Sequence, residues 1–220
     1  MLSTILATIL ASILSPATFA NGGLLLVAAV IFAESGLLIG FFLPGDSLLF
    51  ITGFLLTKPA TLPAGIKDVK FPPLPVVLLI LFLAAVAGDQ VGYLFGSKVG
   101  PALFKREDSR LFKQSNVLKA QAFFDKHGPK AIVMARFVPV VRTFAPVLAG
   151  VSKMRYRTFV TFNLLGGAMW AVGITLLGYF LGKVTFIREH IDLAIIGIIC
   201  LSLLPVALEF VKHRRTAVKV

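Results

Sequence analysis

Three runs in this chain, Leu74 to Ser97, Tyr156 to Gly182 and Ile191 to Val211, stay apolar for the length a helix needs to cross a bilayer, about 20 residues for a hydrocarbon core of about 30 Å. Charged residues make up 15% of the 220 and apolar ones 57%, against about 25% and about 45–50% in soluble domains. A chain of this length filled by such runs has room for little else. That excludes a soluble enzyme, a sizeable extramembrane domain and a disordered chain. The expected fold class is an all-α polytopic membrane protein, a single membrane domain over residues 1–220.

The net charge of +12 is the footprint that nucleic-acid binding would leave. Here, however, Lys and Arg sit between the apolar runs, where cytoplasmic loops of membrane proteins concentrate them. No nucleic-acid partner is expected. Cys200, the only cysteine, lies in the apolar run Ile195 to Leu204 and reads as a small hydrophobe with no internal disulfide. Met1 to Ala20 is apolar and ends in Thr18-Phe19-Ala20, yet it lacks the basic n-region of a signal peptide. It is read as a retained interfacial or membrane-buried helix, residues 1–22, broken at Pro16.

Two further apolar stretches are poor spans. Ser35 to Thr57 carries Pro44-Gly45-Asp46 at its middle, and Ala131 to Val151 carries Arg136, Pro139, Arg142 and Pro146. Proline removes a backbone donor from a helix interior, and glycine turns without steric cost. Pro44, Gly45, Pro139 and Pro146 are therefore expected as hairpin tips or hinges. Folded at the middle, each stretch gives two arms of about 11 residues, about 16 Å each, which is half the hydrocarbon core. Both are expected as re-entrant helical hairpins, 35–57 and 131–151. The charges support this for the second: with it re-entrant, fifteen Lys and Arg fall on the cytoplasmic side and five outside. As a through-span it would move seven of the fifteen outside, against the positive-inside rule.

The hairpins then enter from opposite sides, as in inverted-repeat transporters. A first repeat covers 23–97, a basic cytoplasmic connector 98–130, a second repeat 131–182, a C-terminal transmembrane helix 191–211 and a basic cytoplasmic tail 212–220. Short echoes accompany this layout. Ala85-Val86 precedes Gly92-Tyr93-Leu94-Phe95-Gly96 as Ala171-Val172 precedes Gly178-Tyr179-Phe180-Leu181-Gly182, and Phe42-Leu43-Pro44 matches Phe137-Val138-Pro139. Between the repeats, Ser109 to Lys126 has Leu111, Leu118 and Ala122 at helical spacing, which reads either as an amphipathic helix on anionic lipid or as a solvated connector.

Charges inside the apolar runs carry the chemical signal. Glu34 ends one such run, Asp46 sits at the first tip, and Arg136 and Arg142 lie in the second hairpin. Each costs about 2.5–3.5 kcal/mol at the centre of a membrane helix, so the four must pair, line a wet cavity, or both. Salt bridges that only hold the tips together are a weak reason for them, because apolar replacements of such pairs are often neutral or stabilising. Intramembrane charges mark substrate or proton paths. Arginine forks take phosphate oxygens bidentately and stay protonated, and half-helix N-termini can add amides to the same anion. A carboxylate beside them can exchange a proton as the anion arrives or leaves.

Other positions rank lower. Asp89 in Gly88-Asp89-Gln90-Val91-Gly92-Tyr93 is a secondary candidate, with Tyr93 at i+4 as its hydrogen-bond partner. Asn163, Gly166 and Gly167 read as close helix packing, Trp170 as an interface anchor, Glu209 as a snorkelling helix-end acid and Pro205 as a kink. His127, His190 and His213 fall in loops or the tail, and no HExxH or GxSxG motif occurs. Neither enzyme chemistry nor a bound metal or cofactor is expected.

Glu34, the motif Phe42-Leu43-Pro44-Gly45-Asp46-Ser47, and Ala135-Arg136-Phe137-Val138-Pro139-Val140-Val141-Arg142-Thr143-Phe144-Ala145-Pro146 followed by Ala149-Gly150 together resemble the DedA family of bacterial inner-membrane proteins (VTT or SNARE-associated-like domain). The resemblance covers roughly Gly23 to Gly182, and Ala135 stands where many members have glycine. It implies two opposed re-entrant hairpins and a role in lipid translocation or membrane homeostasis. Members have been linked to recycling undecaprenyl phosphate and to flipping phospholipids, some depend on proton motive force, and eukaryotic relatives are lipid scramblases. The family's essential acidic pair falls on Glu34 and Asp46, and its arginine pair on Arg136 and Arg142. The leading expectation is a flippase of the bacterial cytoplasmic membrane, with its C-terminus inside, moving undecaprenyl phosphate or another anionic phospholipid between leaflets. Arg136 and Arg142 would hold the phosphate, and Glu34 and Asp46 would couple its release to protons or gating. A proton-coupled small-ion antiporter is the alternative. Membrane lipids and protons are the expected partners, and a homo-oligomer is left open.

Overall fold

The computed structural model describes residues 16–37, 45–57, 71–103, 124, 126–137 and 139–184. Every principal element among them is helical. Helix α1 spans Pro16–Gly36, α2 Gly45–Leu55, α3 Leu74–Leu103, α4 Lys130–Ala135, α5 Pro139–Val151, α6 Tyr156–Gly167 and α7 Gly173–Leu181, and a π-helical turn, Ala168–Val172, joins the last two. Most of the expected N-terminal helix, Pro44, most of the basic connector, the C-terminal helix 191–211 and the tail lie outside the described residues.

Two helices are long and apolar enough to cross a membrane, Leu74–Val99 and Tyr156–Leu181, each of 26 residues, or about 39 Å at about 1.5 Å per residue. They agree with the first two expected spans. Both turn large apolar side chains outward, among them Leu79, Leu83 and Leu94 on α3 and Leu164, Leu177 and Phe180 on α6 and α7. An apolar belt of this kind is suited to lipid rather than water. Helix α1 starts at Pro16, whose missing N–H is one that a first helical turn leaves unpaired anyway. The part of the expected N-terminal helix before Pro16 lies outside the described residues. Ser35 and Gly36 close the last turn of α1, so the arm entering the first break begins well upstream of Ser35.

Helix α1 runs beside α3, with Gly36 against Gly88. After the break, α2 returns toward the N-terminal end of α3. There Leu55 shares a core with Val77, and the Thr57 hydroxyl donates to the Gly182 carbonyl at 3.3 Å. The second break mirrors this from the other end. Ala131 and Ile132 of α4 and Ala149 of α5 share a core with Tyr93 and Phe159. At 11 and 13 residues, α2 and α5 reach about 17 and 20 Å, too short to cross a bilayer alone.

Local chemistry fixes these turns. Gly128 leads into α4 at φ 61°, a left-handed conformation that glycine adopts without penalty. Pro139 opens α5. Pro146, expected as a tip or hinge, lies inside α5, and the helix continues through it. It has no N–H to give to the Arg142 carbonyl four residues back. Helix α5 stops where Lys153 turns left-handed (φ 54°) and the Met154 N–H donates to the Ala149 carbonyl at 3.1 Å, a Schellman closure.

The two returning arms pack across the halves, α2 on α7 and α5 on α3. Glycines make both contacts close: a Cβ on Gly178 would overlap the Phe50 carbonyl, and one on Gly96 the Val147 carbonyl. Between the two apolar cores, one including Ala85 and the other Tyr93, lies the level of Asp89.

Candidate functional site

At that level the ends of the broken helices bring their charges together. Glu34 is buried in the last turn of α1. Asp46 lies in the first turn of α2, where an acid complements the positive end of the helix dipole. Arg142, one turn into α5, donates Nη2 to Glu34 Oε1 and Nη1 to Asp46 Oδ1, the latter at 2.6 Å. One guanidinium from the second half thus clamps two acids on either side of the first break. Gly45, expected as a hinge, has no positive φ. What it supplies is space, because a Cβ there would overlap the Glu34 carboxylate.

Arg136 does not join this cluster. It is buried at the C-terminal end of α4, and its Nη2 donates to Asp89 Oδ2 and, at 2.5 Å, to Asn163 Oδ1. Asn163 Nδ2 lies 3.4 Å from the Val86 carbonyl, to which it donates. Tyr93, the expected partner of Asp89, donates its hydroxyl to the Met154 carbonyl at 2.6 Å instead. The balanced set of four read from the sequence becomes two clusters with five charges. Three carboxylates face two guanidiniums, a formal charge of −1 when all are ionised.

Trp170 joins the clusters, and its reading as an interface anchor is overturned. It is 2% exposed. Its Nε1–H donates to Asp46 Oδ1 at 2.7 Å, and its ring centroid lies 4.9 Å from Arg142 Cζ and 5.8 Å from Arg136 Cζ, both within cation–π range. It is carried on the π-helical turn, a local geometry frequent at functional sites. The sequence held a signal for this. Trp170 is fourteen residues from Tyr156, about 21 Å along the helix, which is mid-depth rather than an interface. Asn163 likewise sits inside a span, where a buried amide needs a partner.

Glu34, Ser35, Asp89, Arg136, Arg142 and Trp170 line a cavity of about 10 Å³, about the room of one water. Glu34 Oε2 and the Nε atoms of both arginines have no hydrogen-bond partner among the described residues. The site is therefore closed on itself, with its acids occupying its bases.

Residues 43–180 match the VTT domain family, a range holding Asp46, Asp89, Arg136, Arg142, Asn163 and Trp170, with Glu34 just upstream. The chain is 47% identical to an uncharacterised membrane protein of Mycobacterium tuberculosis over 81% of this chain and 74% of that one. It is 40% identical to Protein DedA of Escherichia coli over 86% of this chain and 83% of that one. Against the inner membrane protein YqjA of Escherichia coli it is 35% identical over 81% and 75%. No solved structure matches it. With the VTT match taking in the second break, the first long helix and nearly all of the second, and Protein DedA aligned along most of either chain, this membrane protein, helical throughout its described elements, belongs to the DedA family.

Proposed function

We propose that this protein moves an anionic lipid phosphate, undecaprenyl phosphate or a phospholipid, between the leaflets of the bacterial cytoplasmic membrane. In this reading α1–α2 and α4–α5 are oppositely oriented re-entrant hairpins and the chain is an inverted-repeat transporter. The short lengths of α2 and α5 and their packing across the halves support it. Exposed Lys98, Lys126, Lys130, Lys153, Arg155 and Arg157 gather at the C-terminal end of α3, with Lys183 at the opposite end. By the positive-inside rule the crowded end faces the cytoplasm. One relative is named an inner membrane protein, and we assign the same membrane here.

The observation that carries the reading is the Arg142 fork, held at mid-depth on two carboxylate oxygens from two helices. The same fork geometry takes two oxygens of a phosphate. The acids keep the guanidinium satisfied between transport events. When phosphate displaces an acid, that acid takes up a proton or turns to water. Arg136 with Asp89 is a second pair of the same kind. The reading involves lipids and protons and no bond-breaking step.

Reconstitution in vesicles tests it. The protein should accelerate transfer of labelled polyprenyl phosphate between leaflets, with labelled phosphatidylethanolamine compared in parallel, and Arg142→Ala should abolish the gain. An unchanged rate in that variant removes Arg142 from the mechanism. Cation-dependent proton flux without any lipid transfer would favour a small-ion antiporter instead.

A further inference from the structure

We infer that the indole N–H of Trp170 is a phosphate ligand, and that the point now held by Asp46 Oδ1 is an oxyanion position built from two donors, Arg142 Nη1 and Trp170 Nε1. The inference rests on the lipid-phosphate reading and adds to it a residue and a geometry. Both donors converge on that single oxygen, at 2.6 and 2.7 Å, from α5 and from the π-helical turn. Two fixed N–H groups aimed at one point in a water-poor interior form an oxyanion site.

The present occupant is the acid best placed to leave. The Asp46 side chain is 19% exposed, against 2% for Glu34 and 5% for Asp89. It stands in the first turn of α2, so a small shift of that turn withdraws Oδ1. The donors stay behind. Trp170 is packed with Ala171 in the core that also holds Leu48, Leu81 and Ala85, and Arg142 retains Glu34. An arriving phosphate oxygen inherits both N–H groups. Because the cavity holds only about 10 Å³ with Asp46 in place, the ligand exchanges with the acid and does not add to it. An indole N–H donates and never accepts, so this position selects an oxyanion and offers a cation nothing.

Trp170 is the only tryptophan in the chain, so emission from the detergent-solubilised full chain reports this position alone. Farnesyl phosphate should shift that emission saturably, and farnesol should not. Asp46→Asn should lower the half-saturating concentration about tenfold by removing a charged competitor for Arg142. Trp170→Phe keeps an aromatic ring and loses the N–H. It should weaken equilibrium binding of radiolabelled farnesyl phosphate about tenfold, the scale of a hydrogen bond to a charged group, with a melting temperature near that of the parent protein. Unchanged affinity in Trp170→Phe, or a parent protein that binds the phosphate without any emission change, overturns the proposal and leaves the lipid-phosphate reading on Arg142. No saturable binding to the parent protein overturns both.

Discussion

Asp89 and Arg136 face each other from helices whose contact joins residues 47 positions apart, each side chain only 5% exposed. Removing one partner of such a pair leaves an uncompensated charge, at about 3–5 kcal/mol. Asp89→Ala should therefore lower the melting temperature in detergent sharply. Asp89→Leu combined with Arg136→Met should recover most of the loss, since an apolar pair of similar volume is often neutral. The combined variant should fold yet fail to transfer lipid phosphate. Full transport in it would show that Arg136 serves the fold alone. Glu34, Asp46 and Arg142 could be picked out from the sequence because their cost in an apolar run is visible residue by residue. The partner of Asp89 could not, because helical periodicity offers only neighbours such as Tyr93, and Arg136 arrives from another helix. Trp170 differs: its residue type suggests an interface, while its depth along the span places it at the middle.

Between elements, the returning arms depend on backbone touching backbone. Gly178 lies under Phe50 and Gly53 against Thr175, while Gly96 lies under Val147 and Gly150 against Tyr93. Gly178→Val should force α2 away from α7 and cost about 1–3 kcal/mol, the usual range for overpacking. Gly173→Ala is the matched control. Nothing lies within 4 Å of a Cβ there, and replacing a helical glycine should stabilise by about 0.5–1 kcal/mol. Thermal melts of both in one detergent check the pair, and equal losses would remove close packing as the cause. The existence of the breaks could be argued from proline and length, but their edges could not. Pro146 shows why, since proline is tolerated inside a membrane helix that neighbours support. The echoed glycines were similarly half-informative. The echo aligns Gly96 with Gly182, whereas the place of Gly96 under a facing carbonyl is taken in the other half by Gly178, one helical turn earlier. Short motifs identify related helices without fixing how far one has slid along its partner.

For the whole molecule, the decisive question is which ends share a side of the membrane. The Tyr93 hydroxyl reaches the Met154 carbonyl at 2.6 Å, and Gly150 packs near the Ser97 backbone, so Lys98 and Lys153 stand at one end of the bundle. Thr57 meets Gly182 at the other, next to Lys183. A second break that merely interrupted a through-span would put Lys98 and Lys153 on opposite sides. In a Cys200→Ser background, single Lys98→Cys, Lys153→Cys and Lys183→Cys variants report this directly, since all three positions are exposed. An impermeant maleimide added to intact cells should label Lys183→Cys alone, and inverted vesicles should reverse the pattern. Labelling of Lys153→Cys and Lys98→Cys from opposite faces would make the second hairpin a span. It would also place positive charge outside against the positive-inside rule, and would separate the two halves whose meeting at Arg142 gives the site its shape. The surface lysines thus test the orientation, and the orientation decides whether a phosphate could reach the arginines from either leaflet.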